Sequence, residues 1–310
     1  MSQFFTQAVL IAAVASGIRL AVPLLLASLG ETFGQRSGVL NLGVDGIMLL
    51  GAFGGYYTVL KTDNVWLGLA MGVGVGIILG LVSAVISVTL KAEQGISGIG
   101  IYLFGLGMSD LLFQKLVGTP LPVSSFPKLD IPGLSDIPIL GAMLFRHSII
   151  VYVAFGLVPI SMYIINRTTF GMNIRAVGEN PEAADSLGVS VVRIRYLTVT
   201  IGGMMAGIAG AALAIDLGIF QQNLTNAQGF IAIALVYFGA WRPAGVMAGS
   251  LLYGFVNSVV LQFKTLGIIP RSWSDIAAMA PAIITILALV LVARRFRQPA
   301  ALTKPFTRGT

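Results

Sequence analysis

Long apolar runs separated by short polar breaks organise this chain. They fall at residues 8–29, 38–60, 65–90, 96–118, 148–166, 196–217, 228–241, 243–263 and 276–293. A helix of roughly 20 apolar residues crosses the hydrocarbon core of a bilayer. The pattern therefore predicts an all-α membrane protein: a polytopic bundle of about nine helices, eight to ten, in a single domain over 1–310. The seventh run is short and suits a re-entrant segment. The stretch 119–147 carries prolines that forbid a continuous helix. Gly68, Gly72, Gly76 and Gly80 recur every fourth residue in the third run, and Gly203, Gly207 and Ala211 in the sixth. Such ridges let helix backbones approach closely, so they read as bundle seams.

Composition agrees with this reading. Of 310 residues, 56% are hydrophobic and 10% charged, against about 25% charged in a soluble domain. Mean hydropathy is +0.91. Spans with short loops use up the length, leaving no stretch for a soluble catalytic domain. The opening "MSQFFTQAVLIAAVASGIRLAVP" has no basic leader and no cleavage site, and is expected to be a retained first span.

Cysteine is absent, which excludes disulfides and thiolate metal sites. The formal charge of +7 does not point to nucleic acid, because the basic residues flank the apolar runs. Arg294, Arg295, Arg297, Lys304 and Arg308 follow the last run without an acid, which places the C-terminus in the cytoplasm. Counting back, the 167–195 loop, with Arg167, Arg175, Arg193 and Arg195, falls on the same side. The 119–147 segment and the N-terminus fall outside.

Polar residues inside the apolar runs are the candidates for function. In "NLGVDGIMLLGAF", Asn41 and Asp45 are four residues apart, at helical spacing for one face. An ionised Asp at the bilayer centre costs roughly 2.5–3.5 kcal/mol on insertion scales, so it faces other helices or a water-filled path. Gly38, Gly43 and Gly46 loosen the helix, and a broken or kinked second span near a translocation path is expected, with Asn41 and Asp45 satisfying its backbone. A purely structural cap is the competing reading. Arg19, Asp110, Asp216 and Asn257 are further intramembrane polar residues; Arg19 is expected to pair with one of the acids, and Asn257 joins the tentative pathway set. His147, the one histidine, stands at the edge of a span. There is no Gly-Lys pair and hence no Walker A loop. Neither H-E-x-x-H nor G-x-S-x-G occurs, so an embedded hydrolase has no support.

The 167–195 loop contains the best-defined polar device, "AVGENPEAADSLGVSVVRIRY". Asn180 is a good N-cap and Pro181 suits the first helical position. Glu182 favours the dipole, and Gly188 is placed to cap the C-terminus. A helix over 181–187 results, too short to be stable unless docked. Ala183, Ala184 and Leu187 share one side, ringed by Glu179, Glu182 and Asp185. This reads either as a loop helix lying on its own bundle or as a small knob for a cytoplasmic groove.

Three segments, "GVLNLGVDGIMLLGA", "AVGENPEAADSLGVSVVRIRYLTVTIGGMMAGIAGA" and "GFIAIALVYFGAWRPAGVMAGSLLYGF", resemble bacterial ABC-importer permeases for branched-chain amino acids, simple sugars and nucleosides. Order, spacing and total length match, and the nucleoside branch is the nearest. Asp45 departs from the Glu usual there. The resemblance implies a multi-pass inner-membrane subunit that is not itself an enzyme and binds no cofactor. Its implied partners are P-loop ATPase subunits carrying the ATP, a second and different permease chain, and an external substrate-binding lipoprotein. Residues 180–188 would be the coupling helix. An importer of branched-chain amino acids or sugars, or a secondary transporter driven by H⁺ or Na⁺, remains an alternative.

Overall fold

The computed structural model describes residues 7–130, 132–293 and 297–308. Arg294 and Arg295, two of the tail cations, lie outside the described residues. The first helix, α1 (Gln7–Arg36), runs 30 residues through Pro23. An irregular stretch over 37–43 leads into α2 (Val44–Thr62). α3 (Val65–Ala84) follows and ends in a π-helical turn, Val85–Thr89. α4 spans Gln94–Leu116. The proline-bearing segment then forms a two-stranded antiparallel hairpin, β1 (Lys128–Asp130) with β2 (Arg146–Ser148), enclosing the short α5 (Leu140–Leu144). α6 (Ile149–Arg167), α7 (Thr169–Glu179) and α8 (Pro181–Ser186) precede the long α9 (Val191–Leu217). α10 (Gln228–Phe238) and α11 (Pro243–Thr265) come next, then α12 (Ser274–Ala278) and α13 (Ala280–Ala293).

Among the described residues, six helices are long and apolar enough to cross a bilayer: α1, α3 with its π turn, α4, α6, α9 and α11. α2 is long enough but carries Asp45, Lys61 and several glycines. Most of its residues are buried, and a helix covered by protein need not be uniformly apolar. α10 has only 11 residues, about 16 Å of rise, which is half of what a hydrocarbon core requires. The ninth expected run is divided at Met279 into α12 and α13.

Caps mark the helix starts. Asn64 accepts from the amides of Trp66 and Leu67 to open α3. Glu93 does the same for α4 through Gly95 and Ile96. Those two amides hold its carboxyl below the usual carboxylate range.

The glycine ridges meet face to face. A Cβ on Gly203 would stand 2.5 Å from the Gly76 carbonyl oxygen, and one on Gly72 2.8 Å from that of Gly207. α3 and α9 thus touch backbone to backbone, as the spacing predicts. The core that results joins Leu24, Leu25, Leu26, Leu29, Ile47, Met48, Ala206, Ala209, Ala212 and Leu235. The hairpin and the α7–α8 region lie at opposite ends of the bundle. The Gly218 carbonyl, just past the end of α9, accepts from Val123 N–H. At the other end, Gly178 and Arg195, at the start of α9, bond to the C-terminal segment.

Candidate translocation cleft and coupling face

Two stretches of irregular backbone interrupt the helical bundle, residues 37–43 and 218–227. Backbone polar groups at membrane depth need internal partners, and buried side chains supply them. Asn41 N–H donates to Glu31 Oε1 (3.0 Å), and Leu40 N–H to Gln94 Oε1 (2.8 Å). Gln35 Nε2 donates to the same Glu31 oxygen (3.1 Å), and Trp241 Nε1 donates to Gln35 Oε1 (2.9 Å). Asn41 Oδ1 accepts from Gly43 N–H (2.9 Å), closing a local turn.

Asp45 answers the second interruption. It is fully buried in the first turn of α2. Its Oδ1 accepts from Gly229 N–H (2.7 Å), and its Oδ2 from Thr225 Oγ1 (3.1 Å). Gly229 is in the first turn of α10, so Asp45 caps a neighbouring helix as well as facing the start of its own. A carboxylate at a helix N-terminus satisfies orphan amides and complements the dipole. Position 229 must be glycine, because a Cβ there would collide with the Asp45 backbone.

The expected face shared by Asn41 and Asp45 does not form. α2 begins at Val44 and runs unbroken to Thr62, so Asn41 lies in the irregular stretch before it. The two side chains serve different segments.

A narrow cleft opens among α1, α6, α9, α10 and α11. Arg19, Asp216, Gln228, Tyr253 and Asn257 give it a polar lining, and Pro23 and Val151 an apolar one. Arg19 Nε stands 3.4 Å from Asp216 Oδ2, which settles the partner of that arginine. Asn257 lines this cleft; Asn41, Asp45 and Asp110 do not. A second hollow shares Arg19, Ser148 and Asp216 and adds Lys128, Arg146 and His147 of the hairpin end. Together they line the bundle from that end inward with amides, a phenol and an ion pair.

At the opposite end α8 is built as its sequence dictates. Asn180 Oδ1 accepts from Ala183 N–H (3.0 Å), and Pro181 takes the first helical position. Gly188 has φ +85°. Val189 N–H donates to Ala184 O and Gly188 N–H to Asp185 O, the paired bonds of a Schellman ending. The faces differ from expectation. Ala184 is 3% exposed and packs with Phe33, Ile165, Ile174 and Val191 of its own bundle. Leu187 is 84% exposed. The outward surface is therefore Glu179, Asn180, Glu182, Ala183, Leu187 and Gly188, with Ala184 as the inward anchor.

Sequence reasoning missed α7. Phe170, Ile174 and Val177 follow the cap Thr168 at helical spacing, and that signal marks an amphipathic helix. It also placed Arg195 in a loop. Arg195 is buried in α9 and donates to the carbonyls of Ser37 (3.2 Å) and Lys304 (3.0 Å). The C-terminal segment is thereby held down as a strap. Ala301 N–H donates to Gly178 O, Thr303 N–H to Gly38 O, and Arg308 pairs with Asp185 of α8 at 2.9 Å.

Residues 13–291 match the family described as branched-chain amino acid transport system / permease component. The chain belongs to this permease family. Across 93% of its length it is 35% identical to the guanosine ABC transporter permease protein NupQ of Bacillus subtilis, covering 94% of that protein. The nucleoside ABC transporter permease protein NupC of Lactococcus lactis is 32% identical over 90% of this chain and 91% of its own. The putative glucose ABC transporter permease protein TsgC13 of Haloferax volcanii is 38% identical over 81% and 77%. Those two bacteria each hold a second, more distant relative, NupP and NupB, at 25% and 24% identity. No solved structure matches the chain. Family and apolar helices together make it a multi-pass membrane permease.

Proposed function

We propose that this chain is one of two different permease subunits of an ATP-driven nucleoside importer. The observation that carries the reading is the match, over nine-tenths of the chain, to permeases named for guanosine and for nucleosides. The second permease is supported by the paired relatives in the same two bacteria. The cleft lined by Arg19, Asp216, Gln228, Tyr253 and Asn257 is the segment of pathway that this chain contributes. A nucleoside offers hydroxyls and base edges to the amides and the ion pair, and a flat ring to Tyr253. It enters from the hairpin end, delivered by an external binding protein. Spans beyond the six long helices are α2 and a composite crossing in which residues 218–227 descend to meet α10; α12 with α13 makes the last.

The α8 end faces the cytoplasm. Its outward surface, centred on Leu187 and ringed by Glu179, Glu182 and Ala183, docks into a groove of a P-loop ATPase. ATP is bound by that partner. Ala184 transmits the motion by anchoring α8 to the α1, α6, α7 and α9 cluster.

Uptake by proteoliposomes containing both permeases, the ATPase and the binding protein tests the reading. Labelled guanosine is expected to accumulate only with internal ATP, and unlabelled nucleosides, not glucose or leucine, should compete. ATP-independent uptake driven by a Na⁺ or H⁺ gradient would establish a secondary transporter instead, and competition by glucose alone a sugar importer.

A further inference from the structure

Four arginines gather where no part of the transport reading needs them. Arg36 is the last residue of α1, Arg175 lies on α7, Arg242 precedes α11, and Arg297 begins the C-terminal strap. They surround one hollow of about 500 Å³, with Glu179, Ala240, Trp241 and Pro299 completing its wall. Four guanidinium groups against one carboxylate leave the lining at +3 (4 − 1). Among the described residues, Arg175 and Arg242 repel Arg36 and Glu179 attracts it. The residues are scattered over more than 250 positions of the sequence, so a local run of loop cations does not explain the gathering. The fold brings them together against their own repulsion.

We propose that this hollow binds a phosphate group, carried by an anionic phospholipid headgroup or free in solution. Guanidinium forks match phosphate oxygens bidentately, a geometry that lysines cannot reproduce. Arg36 is braced by donating its Nε to the Trp241 carbonyl (2.9 Å), a bond that uses one of its five donors. Arg175 spends its Nε on the Gly171 carbonyl (3.4 Å) in the same way. Depth favours the lipid as the source. Arg36 ends one membrane-crossing helix and Arg242 precedes another, with Trp241 between them. That is the level at which aromatic and basic residues meet headgroups, and basic pockets between helices on the cytoplasmic side are where anionic headgroups lodge. The substrate cleft lies toward the other end and shares none of these residues, so the inference is independent of what is transported.

The test uses the assembled importer in phosphatidylcholine micelles, with phosphatidylglycerol or inorganic phosphate added. Native mass spectrometry counts retained lipid, and a melting curve reads protection. Wild type and Arg193→Gln, an exposed cation outside the hollow, should retain phosphatidylglycerol and melt higher with it. Arg175→Gln/Arg242→Gln should lose both effects. Arg175→Lys/Arg242→Lys should keep the charge but bind several-fold more weakly. Equal protection by inorganic phosphate, again lost in the Gln pair, identifies free phosphate as the source. Should the Gln pair fail to assemble, Arg297→Gln, outside every helix, is read in its place. The proposal is overturned if wild type responds to neither anion, or if the Gln variant retains lipid and protection as wild type does.

Discussion

Asp45 is tolerated inside the bundle because it completes two other groups: an amide at the start of α10 and the Thr225 hydroxyl. Asp45→Leu removes both acceptors, and each buried group left unsatisfied costs about 1–3 kcal/mol. Asp45→Asn keeps an acceptor oxygen and should lose much less. The expected order of melting temperature in detergent is wild type, then Asn, then Leu, and a Leu variant as stable as wild type would remove the cap from the account. Gly229→Ala should be as damaging as the Leu change, since its methyl meets the Asp45 backbone and overpacking costs about 1–3 kcal/mol or more. The sequence marked Asp45 as anomalous through its insertion cost alone. Its partners stand 180 and 184 residues away, and nothing in a single sequence pairs such positions. Glu31, also buried, went unnoticed because it falls just past the first apolar run as read at 8–29.

At the scale of elements, α8 was legible down to its caps because capping is local chemistry: Asn180, Pro181 and Gly188 each act within four residues. Which side it turns inward was not, since that depends on the cluster of Phe33, Ile165 and Ile174 drawn from three other helices. The distinction gives opposite outcomes for two variants. Ala184→Trp overfills the inward contact and should destabilise the permease by about 1–3 kcal/mol, read as a lower melting temperature before any partner is added. Leu187→Arg touches only the outward surface. It should leave melting unchanged while reducing ATPase co-purification and ATP-dependent uptake. Normal coupling in the Leu187 variant would remove α8 from the docking surface. The strap makes a related prediction. Removing residues 299–310 takes away the bonds to Gly178, Gly38 and Arg195 and the Arg308–Asp185 pair. Proteolysis between 168 and 190 should then become faster, whereas Arg308→Gln alone, an exposed pair worth about 0–1 kcal/mol, should change little.

For the whole molecule, the arrangement of ends follows from helix parity and backbone contacts. α1 runs from the hairpin end to the α8 end, and α9 runs back. The 119–148 segment and the C-terminal strap therefore lie at opposite ends, as the charge pattern of the sequence anticipates. The membrane-crossing count is harder to read from hydropathy, because α2 is shielded by protein and α10 is a half-length helix joined to irregular backbone. Hydropathy measures the cost of meeting lipid, and neither segment has to meet it along its full length. The absence of cysteine makes the arrangement directly measurable. Asp136 in the hairpin region and Pro305 in the strap are both exposed, and neither packs in the core. In intact cells, Asp136→Cys should react with an impermeant maleimide, and Pro305→Cys only after the membrane is opened. Labelling of both from outside would mean that the two segments share a face, which contradicts the fold. The reverse pattern would preserve the fold but invert it in the membrane. In that orientation α8 and Leu187 would face away from any cytoplasmic ATPase, and the coupling role assigned to them would fail with it.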